Sequence, residues 1–352
     1  MGKRIILVVG DHFIASSLMK EALAARLGED FEYVEASTPF PITPFHSIAE
    51  VKEASGSEEQ MIDGLQGASI CVVHHAPLSK RVLEYATGLK LAVVCRGGPV
   101  NANIAAATKQ GIAIGYTPGR NAAATAEHTV AMLLSALRRI PESDAEIRRG
   151  EWKGNYTYET AGIELETATA GLVGYGAVGK IVARILRGFG TRVLAYDPFL
   201  QPNLLDAGVE QVEFHDLLAR ANIVSLHARA TKESRGMIGR NEIARMQRGS
   251  VLVNCARGSL LDYEAMIDAL YAGHLYGAAA DVFPEEPIAA GSRLLSAPNF
   301  VMTPHIAGGT RQAAHKAVKI AAEEVERFVK NKPLLYCANP QVLAGLRSTM
   351  SQ

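Results

Sequence analysis

The sequence has little of what would mark a membrane protein or a nucleic-acid-binding protein. No apolar run approaches the roughly 18 residues of a membrane-spanning helix. Lysines plus arginines and aspartates plus glutamates both number 36, so the formal net charge is zero. A balanced charge argues against nucleic acid or an anionic membrane as the main partner. We therefore expect a soluble protein with neither kind of partner.

Cysteine is also scarce. The chain has Cys71, Cys95, Cys255 and Cys337, which form no Cys-x-x-Cys pair and no cluster with metal-ligand spacing. Such cysteines are typical of free thiols in a reducing compartment. The apolar run near the N-terminus, Ile5 to Val9, is too short for a signal peptide. The prediction is a cytoplasmic protein that binds no metal ion.

Strand and helix patterns alternate along most of the chain. At 352 residues, two domains are expected. In the first third, helical patterns separate apolar strand-like runs at 3–9, 69–73, 89–95 and 112–116. Residues 38–47, with three prolines, are predicted to be irregular. The fold class is therefore α/β, with two Rossmann-like or flavodoxin-like domains, parallel sheets and a cleft between the domains.

The clearest functional pattern lies between Thr169 and Pro198. A short apolar strand leads into a G-x-G-x-x-G turn, which an amphipathic helix and a second strand follow. The turn consists of Gly174, Tyr175, Gly176, Ala177, Val178 and Gly179. The glycines permit a tight turn, a close approach to a pyrophosphate and close helix packing, and the helix N-terminus offers free N–H groups to phosphates. This order of elements predicts a dinucleotide site.

An acidic residue, Asp197, ends the second strand of this unit. A carboxylate roughly 20 residues beyond the glycines accepts hydrogen bonds from the adenosine ribose hydroxyls and repels a 2′-phosphate. The predicted cofactor is NAD rather than NADP. We assign residues 121–309 to an NAD-binding Rossmann domain. Residues 1–120 plus 310–352 form the substrate domain, to which a long predicted helix, Thr310 to Lys330, returns the chain.

Residues 125–160 have a different character. Thr125 to Arg149 reads as one long helix with an apolar face, and residues 150–160, with Trp152, Tyr156 and Tyr158, read as an extended arm. A linker is one interpretation of this segment. Packing against a second subunit explains the aromatic residues better, so we predict a homodimer.

Four functional side chains in the second half follow predicted strands. They are His227, Arg257, Asp281 and His305, and Glu286 lies in a nearby loop. Ligands of open parallel sheets bind outside the carboxyl ends of the strands. A single such residue is more often an ordinary loop residue, so their shared position carries the prediction of an active site.

At these motifs the chain resembles the D-isomer-specific 2-hydroxyacid dehydrogenases, the family that includes phosphoglycerate dehydrogenase. The resemblance covers nearly the whole chain and rests on the glycine turn together with several short motifs. These are Gly97-Gly98, Asn121 with Glu127-His128-Thr129, Ser225-Leu-His227, Asn254-Cys-Ala-Arg257-Gly258, Asp281-Val-Phe with Glu286-Pro287, and Thr303-Pro-His305-Ile.

The resemblance implies an NAD-dependent enzyme that interconverts a D-2-hydroxy acid and its 2-oxo acid. It implies that Arg257 binds the substrate carboxylate and that His305 donates the proton when the keto group is reduced. Glu286 is expected to orient His305 and to favour its charged form. The cofactor site is expected to include His227, Cys255, Ala256 and Asp281. The backbone of Arg96, Gly97 and Gly98 is expected to hold the substrate carboxylate.

Two departures from the family pattern stand out. Arg229 occupies a position where the family usually has proline, near the expected adenosine pocket. His74 and His75 stand where the family often has an Arg-Ser type pair that faces the substrate. Two interpretations of these histidines remain open: they set substrate choice, or they are solvent-facing loop residues.

A rival function of another class comes from the same resemblance. The family includes corepressors that bind NAD(H) and act mainly as protein scaffolds with little turnover. Formate dehydrogenases share the fold but have an amide in place of Glu286. The substrate itself stays open among phosphoglycerate, hydroxypyruvate, glyoxylate and similar acids.

Overall fold

The computed structural model describes residues 3–28, 30–154, 156–158 and 160–345. The chain divides into two compact units. The first unit comprises Met1–Asn121 and Gly309–Gln352, and the second comprises Ala122–Gly308. Each unit contains a parallel sheet with helices, which confirms the predicted α/β class.

The elements are numbered along the chain. The strands are β1 (Arg4–Gly10), β2 (Phe31–Ser37), β3 (His46–Ile48), β4 (Val51–Ala54), β5 (Ala68–Val73), β6 (Leu91–Val94), β7 (Ala113–Tyr116), β8 (Thr169–Val173), β9 (Arg192–Tyr196), β10 (Val209–Gln211), β11 (Ile223–Leu226), β12 (Ser250–Asn254), β13 (Leu275–Ala280) and β14 (Phe300–Met302). The α-helices are α1 (Ser16–Leu27), α2 (Glu58–Gly64), α3 (Lys80–Tyr85), α4 (Ile104–Lys109), α5 (Ala122–Leu137), α6 (Ile140–Arg148), α7 (Ala177–Gly188), α8 (Phe214–Arg220), α9 (Arg240–Arg245), α10 (Tyr263–Tyr271) and α11 (Arg311–Val329).

The sheet of the first unit has the strand order β2-β1-β5-β6-β7, and its strands are parallel. Its central strands are continuous apolar runs because helices cover both faces of such a sheet. Residues Ile6 to Val9 of β1 are buried. Helix α11 covers one face, where Ala317 and Val318 join the same apolar cluster as Ile6. The C-terminal helix thus completes the core that the N-terminal strand begins.

The sheet of the second unit has the order β10-β9-β8-β11-β12-β13-β14, again all parallel. The chain order reverses at β8, because β9 lies on one side of it and β11 on the other. This reversal is the topological switch point at which open α/β sheets bind dinucleotides. The predicted glycine turn follows β8 directly, so the fold places it at this point.

The predicted helix from Thr125 to Arg149 is wrong as a single element. Helix α5 ends at Leu137 and α6 begins at Ile140, with Arg139 between them in the left-handed conformation at φ 50°. Pro141 lies in the first turn of α6. Because proline has no N–H to bond to the preceding turn, the helix stops and restarts there.

Other short elements are absent from the sequence interpretation. They are β2, the β3–β4 hairpin, β10, α8 and α9, and β3 begins inside the stretch predicted to be irregular. Strand β2 lies at the sheet edge and exposes Glu32 and Glu35, which weakens its apolar signal. No helix within the described residues is both long enough and apolar enough to cross a bilayer.

The buried side chain of Asn339 joins the C-terminal segment to the first sheet. Its Oδ1 accepts a hydrogen bond from Ile114 N at 2.9 Å, and its Nδ2 donates to Ile112 O at 2.9 Å and to Thr108 Oγ1 at 3.1 Å. Removing one partner of a buried hydrogen bond leaves the other unsatisfied. This single amide therefore supports both β7 and the end of α4.

We expect Asn339→Ala to lower the free energy of unfolding by about 2–3 kcal/mol, because several buried groups lose their partner. Chemical denaturation followed by circular dichroism measures the change. The exposed neighbour Gln341 provides the control, and Gln341→Ala is expected to unfold like the parent. Equal stability of the two variants would contradict this role for Asn339.

Candidate active site

The three glycines of the turn after β8 serve different needs. Gly174 has φ 101°, and a Cβ there would lie 2.6 Å from Ala228 N. A Cβ on Gly179 would lie 2.4 Å from Gly174 O. Around Gly176, in contrast, a Cβ would meet nothing within 4 Å. The outer glycines are required by the fold, while the middle one leaves open space in front of α7.

That open space faces the N-terminus of α7. Gly176 is the N-cap residue and provides no side-chain hydrogen bond to the first turn, which begins with Ala177 and Val178. Free N–H groups and the positive end of a helix dipole suit a pyrophosphate. The residues present therefore fit the phosphates of a dinucleotide.

Asp197 follows β9 and is half-buried beside the turn. Its Oδ2 accepts from Tyr175 N and its Oδ1 from Phe199 N, both at 2.9 Å. Tyr175 is itself buried, and its hydroxyl donates to Asp206 at 2.6 Å. Both hydrogen bonds fix the carboxylate in place next to the glycines. Nothing in the sequence had marked Tyr175 or Asp206 for this role.

His227 and Cys255 follow β11 and β12, the next strands along the sheet. The Nε2 of His227 is shielded from solvent and has no hydrogen-bond partner within the described residues. Burial lowers the pKa of His227 to about 4, so its ring is neutral. Burial raises the pKa of the Cys255 thiol to about 12, which makes it a poor nucleophile. Ala256, the third predicted residue here, donates its N–H to Asn254 Oδ1 at 3.1 Å.

Asp281, at the end of β13, is buried and organises the loop after β14. Its Oδ1 accepts from Thr303 Oγ1 at 2.6 Å and from Ile306 N at 2.8 Å, and its Oδ2 accepts from Ala307 N at 2.8 Å. A carboxylate only accepts, so the Thr303 hydroxyl donates to it and accepts from His128 Nε2 at 2.9 Å. His128, on α5, is thereby joined to the same loop.

This loop holds His305 in an uncommon backbone conformation. His305 has φ 56°, in the left-handed region that non-glycine residues seldom adopt. Its Nδ1 lies 2.7 Å from Glu286 Oε2, while Glu286 Oε1 accepts from Phe283 N at 2.7 Å. The carboxylate is thus anchored at one oxygen and fixes the imidazole with the other.

Arg257 follows β12 and is exposed. Its Nη1 donates to Ala256 O at 2.7 Å, and its other guanidinium nitrogens make no hydrogen bond to any residue that the structure describes. The buried Asn254 shapes this turn, because its Nδ2 donates to Arg257 O at 3.0 Å and to Tyr263 Oη at 3.2 Å. The hydroxyl of Tyr263 donates in turn to Val282 O. Tyr263 is a supporting residue that the sequence did not reveal, since its position predicts only a helix start.

The predicted residues of the first unit lie after β5 and β6. The solvent-facing interpretation of His74 and His75 is wrong, because both are buried. His74 Nδ1 lies 2.6 Å from Asp11 Oδ2, and His75 Nδ1 lies 2.7 Å from Glu53 O. The rings of Phe40 and Phe45 stack on His75 with centroids 4.1 and 5.5 Å away.

In the turn after β6, the side chain of Arg96 is paired, whereas the two glycines that follow it border open space. The guanidinium of Arg96 is buried and paired with the carboxylate of Glu53. A Cβ on Gly97 or Gly98 would meet nothing within 4 Å. Their N–H groups make no hydrogen bond to any other residue that the structure describes. Open space with two backbone donors suits an anion such as a carboxylate.

The structure brings the candidate residues together in two sets, each within its own unit. The second unit holds Gly174, Gly176, Ala177, Val178, Gly179, Asp197, His227, Cys255, Ala256, Arg257, Asp281, Glu286 and His305 at or near the carboxyl ends of its strands. The first unit holds His74, His75, Arg96, Gly97 and Gly98 at the carboxyl ends of β5 and β6.

Comparison with known proteins agrees with this geometry. A sequence model of the D-isomer specific 2-hydroxyacid dehydrogenase NAD binding domain matches residues 130–307. The chain is 36% identical over 291 residues to the D-3-phosphoglycerate dehydrogenase of Archaeoglobus fulgidus, an alignment that covers 82% of this chain and 55% of that protein. It is 36% identical over 273 residues to the glyoxylate reductase of Thermococcus litoralis, covering 76% and 82%.

Among solved structures, the crystal structure of a glyoxylate reductase from Paecilomyes thermophila matches with a TM-score of 0.78 at 26% identity. That match covers 97% of this chain and 100% of the other. The chain spans about half the length of the curated phosphoglycerate dehydrogenases that it matches.

The three glycines are expected to respond differently to alanine. Gly176→Ala should keep the parent melting temperature but weaken NADH binding at least roughly tenfold, since the methyl group takes the space of the phosphates. Gly179→Ala should lower the melting temperature, because its Cβ collides with backbone. Fluorescence titration with NADH and thermal unfolding separate the two effects. Unchanged NADH affinity in folded Gly176→Ala would disprove the assignment.

Proposed function

The chain belongs to the D-isomer specific 2-hydroxyacid dehydrogenase family, and on this basis we propose that it is an NAD-dependent D-2-hydroxyacid dehydrogenase. It interconverts a D-2-hydroxy acid and its 2-oxo acid. When bound, NAD would supply the hydride chemistry at C2 of the acid, as acceptor in the oxidising direction and, in its reduced form, as donor in the reducing direction. The remaining tasks are binding, orientation and proton transfer, and they fall to side chains.

The pair formed by His305 and Glu286 is the single observation that carries this proposal. An imidazole held by a carboxylate at 2.7 Å has a fixed orientation for proton transfer. In the reducing direction the ring gives a proton to the oxygen of the 2-oxo group. In the oxidising direction it takes the proton of the hydroxyl group. The anchoring of Glu286 by Phe283 N supports this role, because the pair is fixed without a ligand.

Arg257 is proposed to bind the substrate carboxylate and to polarise the neighbouring carbonyl. Its planar fork matches the two oxygens of a carboxylate. In the first unit, the N–H groups of Gly97 and Gly98 are proposed to bind a carboxylate of the substrate. This use explains why the turn after β6 leaves its backbone donors without a partner and its surface open.

NAD is proposed to lie along the glycine turn, with its ribose hydroxyls on Asp197. The fixed carboxylate disfavours a 2′-phosphate by charge repulsion. The neutral ring of His227 lies beside the turn, since Gly174 approaches the backbone of His227 closely. Its shielded Nε2 gives the cofactor a polar partner.

The similarity to known proteins does not single out one acid as the substrate. Phosphoglycerate dehydrogenases and a glyoxylate reductase are similar to this chain at nearly equal identity. We propose 3-phosphoglycerate, hydroxypyruvate and glyoxylate, with their oxidised or reduced partners, as the first panel. Free thiols at all four cysteines favour a reducing compartment, so we also propose that the enzyme acts in the cytoplasm.

His305→Asn is expected to lower kcat by roughly 100- to 10,000-fold while NADH affinity stays at the parent value, because only proton transfer is lost. Glu286→Gln should lower kcat less, since the amide still accepts a hydrogen bond from the ring. NADH oxidation with the substrate panel measures kcat, and fluorescence titration measures affinity.

The exposed His315 on α11 supplies the matched control, and His315→Asn is expected to behave as the parent. Full activity of His305→Asn would refute the proposed proton donor. Tight NADH binding by the parent without turnover of any acid would refute the enzyme and favour the NAD(H)-binding scaffold.

We further propose that the chain forms a homodimer through α6 and the arm that follows it. Large apolar side chains are unusually exposed here: Trp152 is 92% exposed, Tyr158 96% and Ile147 58%. Exposed large apolar side chains concentrated in one segment are typical of protein interfaces. A second copy of the chain is the occupant that such a surface fits, since symmetric dimers are the commonest oligomers.

Trp152→Glu is expected to convert the dimer into a monomer, because a buried carboxylate without a partner opposes association. Sedimentation velocity at micromolar concentration reports the oligomeric state. Tyr85→Glu, at an exposed aromatic residue of the first unit, should leave the state unchanged. A parent chain that sediments as a monomer would rule out the interface.

A further inference from the structure

Arg120 is a half-buried arginine whose Nε and Nη1 lack acceptors among the residues that the structure describes. It follows β7 by a few residues, and its Nε and Nη1 are shielded from solvent without a hydrogen-bond partner among the described residues. Its Nη2 lies 3.4 Å from His74 Nε2, a long contact. Buried donors of a guanidinium are nearly always paired in native proteins. An acceptor that the chain does not provide is therefore expected at this position.

The neighbouring acidic group is already engaged. Asp11 accepts from His74 Nδ1 at 2.6 Å, from Phe13 N at 2.9 Å and from Ile14 N at 2.8 Å. Burial lowers the pKa of His74, so the ring is neutral and presents the lone pair of Nε2 to Arg120. His74 thus stands between the carboxylate and the guanidinium, and holds the latter without neutralising it.

Arg120 differs from Arg96 in how its charge is paired. Both arginines follow neighbouring strands of the same sheet. Arg96 is paired with the carboxylate of Glu53 and also donates to Glu53 O at 2.9 Å. Arg120 pairs with no carboxylate in the part of the chain that the structure describes, and the ring of Phe13 lies 6.0 Å from its Cζ. A desolvated cation over an aromatic ring still requires an anion to satisfy its hydrogen-bond donors.

Arg120 also lies at the edge of the sheet where the proposed substrate turn is found. Thr117 donates from both its N–H, at 2.8 Å, and its hydroxyl, at 3.2 Å, to Arg96 O. These bonds hold the segment that leads to Arg120 beside the Arg96–Gly98 turn. His74, which the guanidinium contacts, follows β5, the other neighbour of β6. The arginine therefore occupies the carboxyl end of the first sheet, near the turn with free N–H groups.

We propose that Arg120 binds a second anionic group of the substrate, a carboxylate or a phosphate, separate from the carboxylate next to the reacting carbon. The substrate class is then a 2-oxo or 2-hydroxy acid with an additional acidic group. This inference rests on the proposed dehydrogenase function and narrows its substrate. His74 acts as a positioning residue, because it orients the guanidinium through Nε2 and is itself fixed by Asp11.

The chemistry of the guanidinium favours an anion over a neutral hydroxyl group. The unpartnered Nε and Nη1 are charged N–H donors, which suit the oxygens of a carboxylate or phosphate. A neutral hydroxyl group would leave the buried charge uncompensated. Glyoxylate has no second group and hydroxypyruvate has only a hydroxyl group, so neither satisfies Arg120.

The first experiment compares substrates on the parent enzyme. We measure kcat/KM for NADH-dependent reduction of glyoxylate, hydroxypyruvate, 2-oxoglutarate and 3-phosphohydroxypyruvate. One of the last two should exceed the first two by at least about tenfold, as expected for an added charge-assisted hydrogen bond. A preference for 2-oxoglutarate identifies a carboxylate site, and a preference for 3-phosphohydroxypyruvate identifies a phosphate site. A preference for glyoxylate or hydroxypyruvate overturns the inference without any variant.

The second experiment changes the arginine. Arg120→Gln should reduce the ratio of kcat/KM for the preferred dianionic acid to that for glyoxylate by roughly 10- to 150-fold, mainly through KM. Arg120→Lys keeps the charge but not the fork and should lose less. His74→Gln should reduce the same ratio by a smaller factor. Arg81→Gln, at an exposed arginine of α3, is the matched control and should leave the ratio unchanged. An equal loss with both acids would indicate a structural role and overturn the inference.

A binding measurement separates this inference from the proposed function. Inorganic phosphate and succinate, tested separately, should raise the melting temperature of the parent protein, whereas the effect should be absent in Arg120→Gln. If the parent reduces 2-oxo acids but neither anion acts through Arg120, the dehydrogenase stands and the anion site falls. If no acid is reduced but an anion stabilises the parent through Arg120, the site stands and the proposed function falls.

Discussion

The carboxylate of Asp281 is the group on which the candidate site of the second unit depends. Its two oxygens take the N–H groups of Ile306 and Ala307 and the hydroxyl of Thr303. A left-handed residue costs roughly 1–2 kcal/mol, whereas each hydrogen bond to a charged group contributes roughly 1.5–3 kcal/mol. The hydrogen bonds to Asp281 therefore outweigh the cost of the positive φ at His305, and the loop after β14 holds the residue in that conformation. As a result, the imidazole contacts Glu286 near the ends of β13 and β14.

In each unit, the candidate residues divide into those that are proposed to touch a ligand and those that support them. Gly176, Arg257 and the N–H groups of Gly97 and Gly98 border open space or carry free donors. Asn254 and Tyr263, in contrast, are buried and donate hydrogen bonds to backbone carbonyls of neighbouring turns. These buried hydrogen bonds fix the strand ends, so the proposed ligand-binding groups are already in position before a ligand binds.

Much of this organisation is readable from the sequence, because periodicity and glycine spacing are local. The glycine turn, Asp197 and the strand ends at Arg257, Asp281 and His305 lie where the pattern predicts. The break at Arg139 was missed although Pro141 signals it, and the edge strand β2 was missed because its charged residues weaken the apolar signal. The environment of Arg120 could not be predicted, because it depends on His74 and Asp11, which are distant in sequence and meet only in the folded sheet.

The attachment of Asp197 bears on how the protein could change over evolutionary time. The carboxylate that is proposed to recognise the ribose is also a structural acceptor for Tyr175 N and Phe199 N. A substitution that admits a 2′-phosphate would remove acceptors from both backbone groups at once. A lineage that switched its cofactor would therefore need compensating changes around the glycine turn. Because one carboxylate serves both purposes, the choice of cofactor cannot change without a change in the hydrogen bonds of the turn.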